Sequence, residues 1–299
     1  MIRLAGNIYK KIGEFIDIDL ARRRWFRFTR NPLSIVGLVI VGVALFLALS
    51  APYITPYPQD TGFNTNFKEA LQPPSLAHLF GTDDVGRDVF TRTVFGFQYS
   101  LLMAAVVLGV SVLPGVALGL TAGYYRGSWV DSLVMRVADI FIAVPALVLA
   151  LAVTAVLSPS LLNAMLAICL IWWPWYARLT YSISSSLRNE YFVQAAGISG
   201  ASPFYIIFRE IFPNTLGPIL TKVTLDVGWV ILLGSALSFV GLGAQPPTPD
   251  LGTMVATGGR FLPEIWWLTI FPAIAIIMII LGFNLLGDGI RDIFMEEVR

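Results

Sequence analysis

The chain has 299 residues, of which 56% are hydrophobic and 13% are charged, and its mean hydropathy is +0.74. Soluble domains carry about a quarter charged residues, so a soluble globular fold is excluded. A formal net charge of +1 argues against a nucleic-acid partner, which would require a basic surface. With one cysteine and one histidine, the chain lacks the side chains for a disulfide framework or a thiolate metal site. The composition indicates an integral membrane protein that lies in a lipid bilayer.

The first 30 residues form a basic arm in which arginines are mixed with Trp25, Phe26 and Phe28. Two interpretations stay open for it. The arm is an amphipathic segment lying on the membrane surface, or it is a basic flank with aromatic residues at the interface. The apolar run that follows is too long, and starts too far from Met1, for a secretion signal. We therefore predict an uncleaved anchor helix.

Six apolar segments are long enough to cross a hydrocarbon core of about 30 Å, which needs about 20 residues per helix. These segments are 33–51, 99–123, 138–157, 161–180, 219–242 and 266–286. Only residues 158–160 separate the third from the fourth, which predicts a tight helical hairpin. The predicted fold class is all-α, a polytopic membrane protein with six transmembrane helices.

Lysine and arginine residues are distributed unevenly between the two sides that these spans define. Eight precede the first span and seven more fall on the same side, whereas four fall on the opposite side. Because cytoplasmic segments are enriched in Lys and Arg, we predict that both termini and residues 181–218 are cytoplasmic.

Ahead of the second span, the stretch FGTDDVGRDVFTR spaces its charges as one face of a helix would. Asp84, Arg87, Asp88 and Arg92 stand at i, i+3, i+4 and i+8. Two interpretations stay open: a surface helix with solvated charges, or a platform that contacts a binding protein or a partner permease.

The stretch QAAGISGASPFYIIFREIFPN, residues 194–214, is too interrupted by Gly and Pro to cross a membrane, yet it is amphipathic. Ser202 and Pro203 are typical of an N-cap and a first helical residue. Pro213 is predicted to end this helix. Four apolar residues share one face at i, i+3, i+4 and i+7, namely Phe204, Ile207, Phe208 and Ile211.

Upstream of that helix, EYFVQAA predicts a second short helix closed by Gly197 and Gly200. The pair of helices has two possible uses. Its apolar face packs on the spans of this chain, as in a re-entrant or interfacial loop, or it docks into a groove on another protein. Periodicity does not distinguish these, because both bury the same face.

The fifth predicted span carries polar residues, which inside a membrane are candidates for function. Lys222 and Asp226, at i and i+4, are predicted to pair with each other. Asp226, Ser235 and Ser238 are candidates for lining a translocation pathway. Helix packing is the alternative for the small residues.

Residues 194–214 resemble the EAA loop of ATP-binding cassette importer permeases, whose pattern is Glu-Ala-Ala, three residues, Gly, nine residues and Ile-x-Leu-Pro. Four residues fall in register, namely Ala195, Ala196, Gly200 and Pro213. The departures are Gln194 for the Glu, Glu210 for the Ile and Phe212 for the Leu. Gln194 keeps the size and the hydrogen-bonding capacity of the Glu but lacks its charge.

Further motifs resemble the dipeptide/oligopeptide/nickel branch of that family, and more narrowly its C-type permease subunit, which has an extra N-terminal anchor span. They lie in residues 79–101, 122–150, 237–254 and 266–292. The resemblance implies a type I importer permease fold with both termini cytoplasmic. Residues 1–97 would then form the arm, the anchor helix and an extracytoplasmic segment. Residues 98–299 would form a five-helix permease core with a cytoplasmic coupling loop at 190–214.

The resemblance also implies how the chain works. It implies import of di- or oligopeptides, with nickel or other metal chelates and oligosaccharides as alternative cargoes. The sequence contains no phosphate-binding loop, no HExxH or GxSxG motif and no cysteine cluster. No catalytic, cofactor or metal site is therefore expected on this chain. ATP and Mg would be bound by two ATP-binding cassette ATPase subunits. The other implied partners are a second homologous permease subunit and an extracytoplasmic substrate-binding protein.

The resemblance assigns ATPase coupling to a set of residues in the loop. They are Gln194, Ala195, Ala196, Gly200, Pro203, Phe204, Ile207, Phe208 and Pro213. An ion-gradient-driven secondary transporter is the alternative class. That class favours inverted repeats or paired broken helices, and the sequence shows neither.

Overall fold

The computed structural model describes residue 22 and residues 25–295, with the side chain of residue 295 outside the description. Most of the arm predicted over the first 30 residues therefore lies outside the described residues. Its described end, residues 25–30, is helical. Trp25 and Phe26 are exposed there, whereas Phe28 is buried.

The described chain is helical and contains no β-strand, which confirms the predicted all-α class. Two short 3-10 turns, Pro58–Thr61 and Phe67–Glu69, lie between the first two helices. The helices are α1 Pro32–Ile54, α2 Val89–Tyr124, α3 Trp129–Ala143, α4 Ala146–Val156, α5 Leu161–Leu187, α6 Tyr191–Ile198, α7 Pro203–Phe239, α8 Leu251–Gly259 and α9 Trp267–Met295.

Four of the described helices, α1, α2, α7 and α9, are long and apolar enough to cross a membrane. The predicted segment 138–157 is not one straight helix, because α3 and α4 meet at 89°. The break lies at Val144 and Pro145, whose ψ angles of 133° and 128° are not helical. Proline lacks a backbone N–H and disfavours helical geometry in the residue before it. The bent pair counts as a fifth candidate span.

The predicted fourth span, 161–180, lies within α5, which is less apolar than those helices and packs along α2. The contact is close because Gly115, Gly119 and Gly123 of α2 face the α5 backbone. A β-carbon at Gly115 would lie 2.5 Å from the carbonyl oxygen of Trp173, and one at Gly123 would lie 2.7 Å from that of Tyr181. Small residues four apart allow this approach of two membrane helices.

α1 and α9 form a second close contact. A β-carbon at Gly37 would lie 2.5 Å from the backbone nitrogen of Leu286 in α9. Beside this contact, the Asn31 side-chain amide donates to the Asp292 carboxylate at 3.1 Å. The anchor helix is thereby held against the last helix of the core.

Replacing Gly37 with valine is expected to lower the free energy of unfolding by about 1–3 kcal/mol, because the new side chain overlaps the α9 backbone. Gly42→Val is the matched control, since a β-carbon at Gly42 meets nothing within 4 Å. Thermal denaturation of both variants in one detergent measures the difference. Equal midpoints for the two variants would contradict the close α1–α9 contact.

The connections between helices lie at two ends of the bundle. One end carries residues 55–88 and 240–266, which include eight prolines, and we call it the proline-rich end. The other end carries residues 125–128 and 188–202.

The polar helix face predicted before the second span does not form. α2 begins at Val89, and Asp88 is its N-cap, accepting from the backbone N–H of Thr91. Asp84 and Arg87 lie in the preceding turn, where Gly86 has a φ of +82° that helices do not contain. Asp88 and Arg92 are buried. The interpretation as solvated charges on a surface helix is therefore wrong.

Candidate functional site

The first part of the 190–214 segment is the short helix α6, which ends at Ile198 and is closed by Gly200, as predicted. Gly200 has a φ of +83°. The backbone N–H of Ala201 donates to Ala196 at 3.1 Å, and that of Gly200 donates to Gly197 at 3.0 Å. This pair of bonds is a Schellman motif, which satisfies the last carbonyls of a helix. Gly197 itself lies inside α6 and does not close it, contrary to the prediction.

The second part is the start of α7. Ser202 accepts from the backbone N–H of Tyr205, and Pro203 is the first helical residue, which confirms the predicted cap. The prediction that Pro213 ends the helix is wrong, because α7 continues to Phe239. A π-helical turn, Ile206–Ile211, precedes the proline. This turn is wider than an α-helical one, so it accommodates the proline ring without ending the helix.

The apolar face predicted for this helix is divided in the structure. Ile207 and Ile211 are 4% and 0% exposed and belong to the main hydrophobic core. Phe204 and Phe208 are 72% and 38% exposed, and their ring centroids lie 4.6 Å apart. Half of the face thus packs on the chain's own spans, as one interpretation required. The other half remains available to another protein.

Large side chains of α6 are exposed as well. Six large side chains in this segment are exposed, and we call them the aromatic patch: Tyr191, Phe192, Ile198, Phe204, Tyr205 and Phe208. Five of the six are aromatic. Contiguous exposed apolar surface marks sites of protein contact, and aromatic residues are enriched at the centres of interfaces.

The polar residues of the segment hold it in place. The Gln194 side-chain amide donates to the Asn189 carbonyl at 2.9 Å, so this residue makes a hydrogen bond without a charge. Arg188 donates to the Arg126 carbonyl at 3.0 Å and ties the segment to the connection after α2. Gln194, Gly197 and Arg188 also line a cavity of about 350 Å³ at the end of α2. Ala195 is exposed, and Ala196 packs against the main core.

Gly200→Ala is expected to destabilise the connection between α6 and α7 locally by about 1–2 kcal/mol, because a β-carbon is strained in the left-handed region. Gly197→Ala is the matched control, since Gly197 is helical and a β-carbon there would meet only the side chain of Ile206, at 4.0 Å. Amide hydrogen exchange over residues 190–205 should be faster in Gly200→Ala and not in Gly197→Ala. Equal exchange in the two variants would contradict the capping role of Gly200.

A polar cluster lies further along α7, where Lys222 and Asp226 pair as predicted. The Lys222 ammonium nitrogen lies 3.1 Å from the Asp226 carboxylate. The Trp172 indole N–H donates to the same carboxylate at 2.9 Å. Lys222 also lies 5.3 Å from the centre of the Tyr176 ring. Asp226 is 4% exposed, so the pair is buried on the carboxylate side.

The two candidate pathway serines lie apart from this cluster. Ser235 and Ser238 are buried, and a β-carbon at Gly252 of α8 would lie 2.5 Å from the Ser235 carbonyl. Burial raises the pKa of the Asp250 carboxyl beside them, and hydrogen bonds from Thr253 and Ser238 oppose that shift. Both serines thus lie beneath α8 of the same chain, whereas Asp226 contacts α5.

Sequence reasoning missed the role of Trp172 as a hydrogen-bond donor to Asp226. Trp172 is 54 residues from Asp226. An i, i+4 pair on one helix is visible in a sequence, but a contact between two helices is not. An indole N–H needs a partner when it is buried, and that was the only available signal.

Comparison with known proteins gives two family matches. Residues 115–299 match the protein family described as binding-protein-dependent transport system inner membrane component. Residues 20–74 match the family described as the N-terminal TM domain of oligopeptide transport permease C.

Several curated relatives cover almost the whole chain. The dipeptide transport system permease protein DppC of Escherichia coli K12 is 44% identical over 97% of each chain. DppC of Alkalihalophilus pseudofirmus is 42% identical over 96% of this chain and 93% of its own. The probable D,D-dipeptide transport system permease protein DdpC of Escherichia coli K12 is 40% identical over 88% of this chain and 87% of its own. The chain therefore belongs to the family of binding-protein-dependent transport system inner membrane components, as the resemblance of its motifs predicted.

Proposed function

We propose that this chain is one permease subunit of an ATP-driven importer of dipeptides and short oligopeptides. The observation that carries the proposal is the similarity, over nearly the full length, to permeases named for dipeptide transport. Nickel or other metal chelates and oligosaccharides are the alternative cargoes. In this proposal the chain forms half of the translocation pathway, and a second homologous permease subunit forms the other half.

The proposed topology has six passages through the inner membrane with both termini in the cytoplasm. Four helices and the bent pair α3–α4 supply five apolar candidates, and α5 supplies the sixth passage between them. The excess of Lys and Arg at the 188–202 end supports a cytoplasmic location for that end. The proline-rich end then faces the substrate-binding protein on the other side.

The aromatic patch is the proposed contact with an ATPase subunit. Its position at the cytoplasmic end supports this role, as does its exposed pair Phe204 and Phe208. Docking of an apolar helix face into a groove is a recurrent mode of protein recognition. One ATPase subunit would bind this chain and the other would bind the second permease.

The continuous helix α7 gives the proposed coupling its physical basis. Phe204 and Asp226 lie on one uninterrupted helix, Pro203–Phe239. Closure of the ATPase dimer would displace the start of α7, and the helix would move with it as a rigid element. Such rigid-body motion between two packed states would alternate access to the pathway. ATP and Mg would be bound by the ATPase subunits, and hydrolysis would occur there.

Reconstitution tests the proposal. The chain is assembled with the second permease, both ATPases and the binding protein in liposomes, and uptake of labelled L-alanyl-L-alanine is measured. Uptake should require ATP on the ATPase side and persist when ion gradients are collapsed. Uptake that needs an ion gradient but no ATPase subunits would favour a secondary transporter. A labelled nickel chelate and a labelled oligosaccharide are the competing cargoes in the same assay.

A further inference from the structure

A cavity of about 330 Å³ opens at the proline-rich end, where six parts of the chain meet. Its volume lies at the lower end of the range for small-molecule sites, about 300–1,000 Å³. The lining comes from the segment at Phe63, the turn before α2, the first residues of α2, the loop at Pro246 and Pro247, α8 and the start of α9. No part of the cavity belongs to the aromatic patch or to the Lys222–Asp226 cluster.

The floor of the cavity is apolar. Val89, Met254 and Leu268 line it, and Val89 and Leu268 are 1% and 5% exposed. These residues belong to one small hydrophobic cluster, in which further apolar side chains pack against them. A floor of this kind accepts aliphatic or aromatic groups of a ligand without requiring hydrogen bonds.

One wall of the cavity carries two guanidinium groups that share a carboxylate. Arg92 is 4% exposed, and its Nη1 donates to the carbonyls of Asp60 at 2.8 Å and Pro247 at 3.2 Å. The nearest carboxylate oxygen, from Asp83, lies 3.7 Å from Arg92 Nε. That same oxygen accepts from Arg87 Nε at 2.7 Å. The buried Arg92 and the half-buried Arg87 therefore share the Asp83 carboxylate, and an arginine has five N–H donors.

The same cavity also carries a carboxylate without a hydrogen bond in the described part of the chain. Asp84 lines the cavity and is half-buried. Among the residues that the structure describes, its carboxylate makes no hydrogen bond and no ion pair. The neighbouring carboxylates are occupied: Asp60 accepts from Asn64 and from the backbone of Asp88, and Asp88 contacts His78 and caps α2.

We infer that this cavity binds a small zwitterionic ligand, namely a short peptide with a free α-ammonium and a free α-carboxylate. The carboxylate would be bound by Arg92 and Arg87, the ammonium by Asp84, and the peptide side chains by the apolar floor. A simple anion is disfavoured by Asp83 and Asp84, and a simple cation is disfavoured by the two arginines. A ligand with one charge of each sign is complementary to both groups.

This inference rests on the proposed function in one respect, since a peptide importer is where such a ligand would be present. The cavity lies at the end proposed to face the substrate-binding protein. It would therefore hold a peptide released from that protein before the peptide enters the path between the two permeases.

Ligand binding is measured on the complete complex of both permeases and both ATPases in lipid nanodiscs, without the binding protein. The probes are labelled L-alanyl-L-alanine, its N-acetyl derivative and its C-terminal amide. Equilibrium dialysis should show that each blocked peptide binds about tenfold more weakly or worse, because each loses a charge-assisted hydrogen bond. Because this comparison uses the unmodified protein, it does not depend on any variant folding.

Asp84→Asn then tests the ammonium site. The variant should weaken binding of L-alanyl-L-alanine about tenfold and leave the affinity for the N-acetyl peptide unchanged, since that peptide has no ammonium to lose. Glu264→Gln is the matched control, because Glu264 is an exposed carboxylate at the same end that does not line the cavity. Arg92→Lys keeps the charge but loses the forked geometry of the guanidinium group. It should therefore weaken binding of L-alanyl-L-alanine more than binding of its C-terminal amide.

Two results would overturn the inference: no binding of L-alanyl-L-alanine to the complex, or equal affinities in the wild type and Asp84→Asn. ATP-driven uptake, measured in parallel with the binding protein present, separates this inference from the proposed function. If uptake occurs but binding does not depend on Asp84, the cavity is not the peptide site and the importer proposal stands. If binding depends on Asp84 but no uptake occurs, the cavity is the peptide site and the importer proposal is wrong.

Discussion

Phe204→Glu is expected to abolish peptide-stimulated ATP hydrolysis by the assembled importer while the chain itself still folds. Phe204 is 72% exposed, so the substitution removes little from the core. A charge in the centre of an apolar contact leaves a buried ion without a partner. Loss of a central aromatic residue at an interface costs about 2 kcal/mol or more, which is roughly a 30-fold loss of affinity. Co-purification of the ATPase subunits and their hydrolysis rate measure the effect.

Two further substitutions make the Phe204 result specific. Leu76→Glu places the same charge on a residue that is 99% exposed at the proline-rich end, and it should leave ATPase binding unchanged. Ile211→Glu places it in the core, where it should destabilise the chain itself, because Ile211 is 0% exposed. If the Phe204→Glu chain is present at normal abundance and the importer shows wild-type peptide-stimulated ATP hydrolysis, the aromatic patch is not the ATPase contact.

Asp226→Ala is expected to destabilise the chain by about 3–5 kcal/mol, because it leaves the Lys222 ammonium without its counterion. The Trp172 N–H, which donates to the same carboxylate at 2.9 Å, loses its acceptor as well. The free energy of unfolding in mixed micelles measures the loss. Thr224→Ala is the matched control on the same helix, since the Thr224 hydroxyl bonds only within α7, to Leu220.

The double variant Lys222→Met with Asp226→Leu should recover most of the stability lost in Asp226→Ala. Both charges are then absent, and apolar side chains of similar volume replace them. If the double variant folds but the importer no longer transports, the pair has a function beyond stability. If Asp226→Ala is as stable as the Thr224→Ala control, neither the ion pair within α7 nor the Trp172 hydrogen bond from α5 contributes to stability.

The helices were predictable from the sequence because their signals are local. Runs of apolar residues indicated the long helices, and the Ser202–Pro203 cap and the Gly200 turn were both predicted from adjacent residues. Proline was a poorer guide. Pro145 separates α3 from α4, whereas Pro213 lies inside α7. Neighbouring helices and local π-helical adjustment compensate for a proline in a packed bundle, and neither is visible in the sequence.

The sequence predicted only those contacts of the candidate sites that join residues close together in the chain. Lys222 and Asp226 are one helical turn apart, so their pairing followed from spacing. The division of the apolar face between Ile207 and Phe204 did not follow, because it depends on which spans lie behind the helix. The cavity at Arg92 was also beyond sequence reasoning, since its second acceptor, Pro247, lies 155 residues away.

The π-helical turn Ile206–Ile211 has a consequence for the angular relation between the two ends of α7. Each residue advances an α-helix by about 100°, and a π turn accommodates one residue more than the α-helical hydrogen-bond ladder allows. Removing one residue from this turn would restore the regular ladder. The direction of Phe204 relative to Asp226 would then change little, because the π turn already absorbs the extra residue. If the turn relaxed into regular α-helix with that residue kept, Phe204 would rotate by about 100° about the helix axis relative to Asp226. The direction in which the aromatic rings project therefore depends on the π turn being maintained.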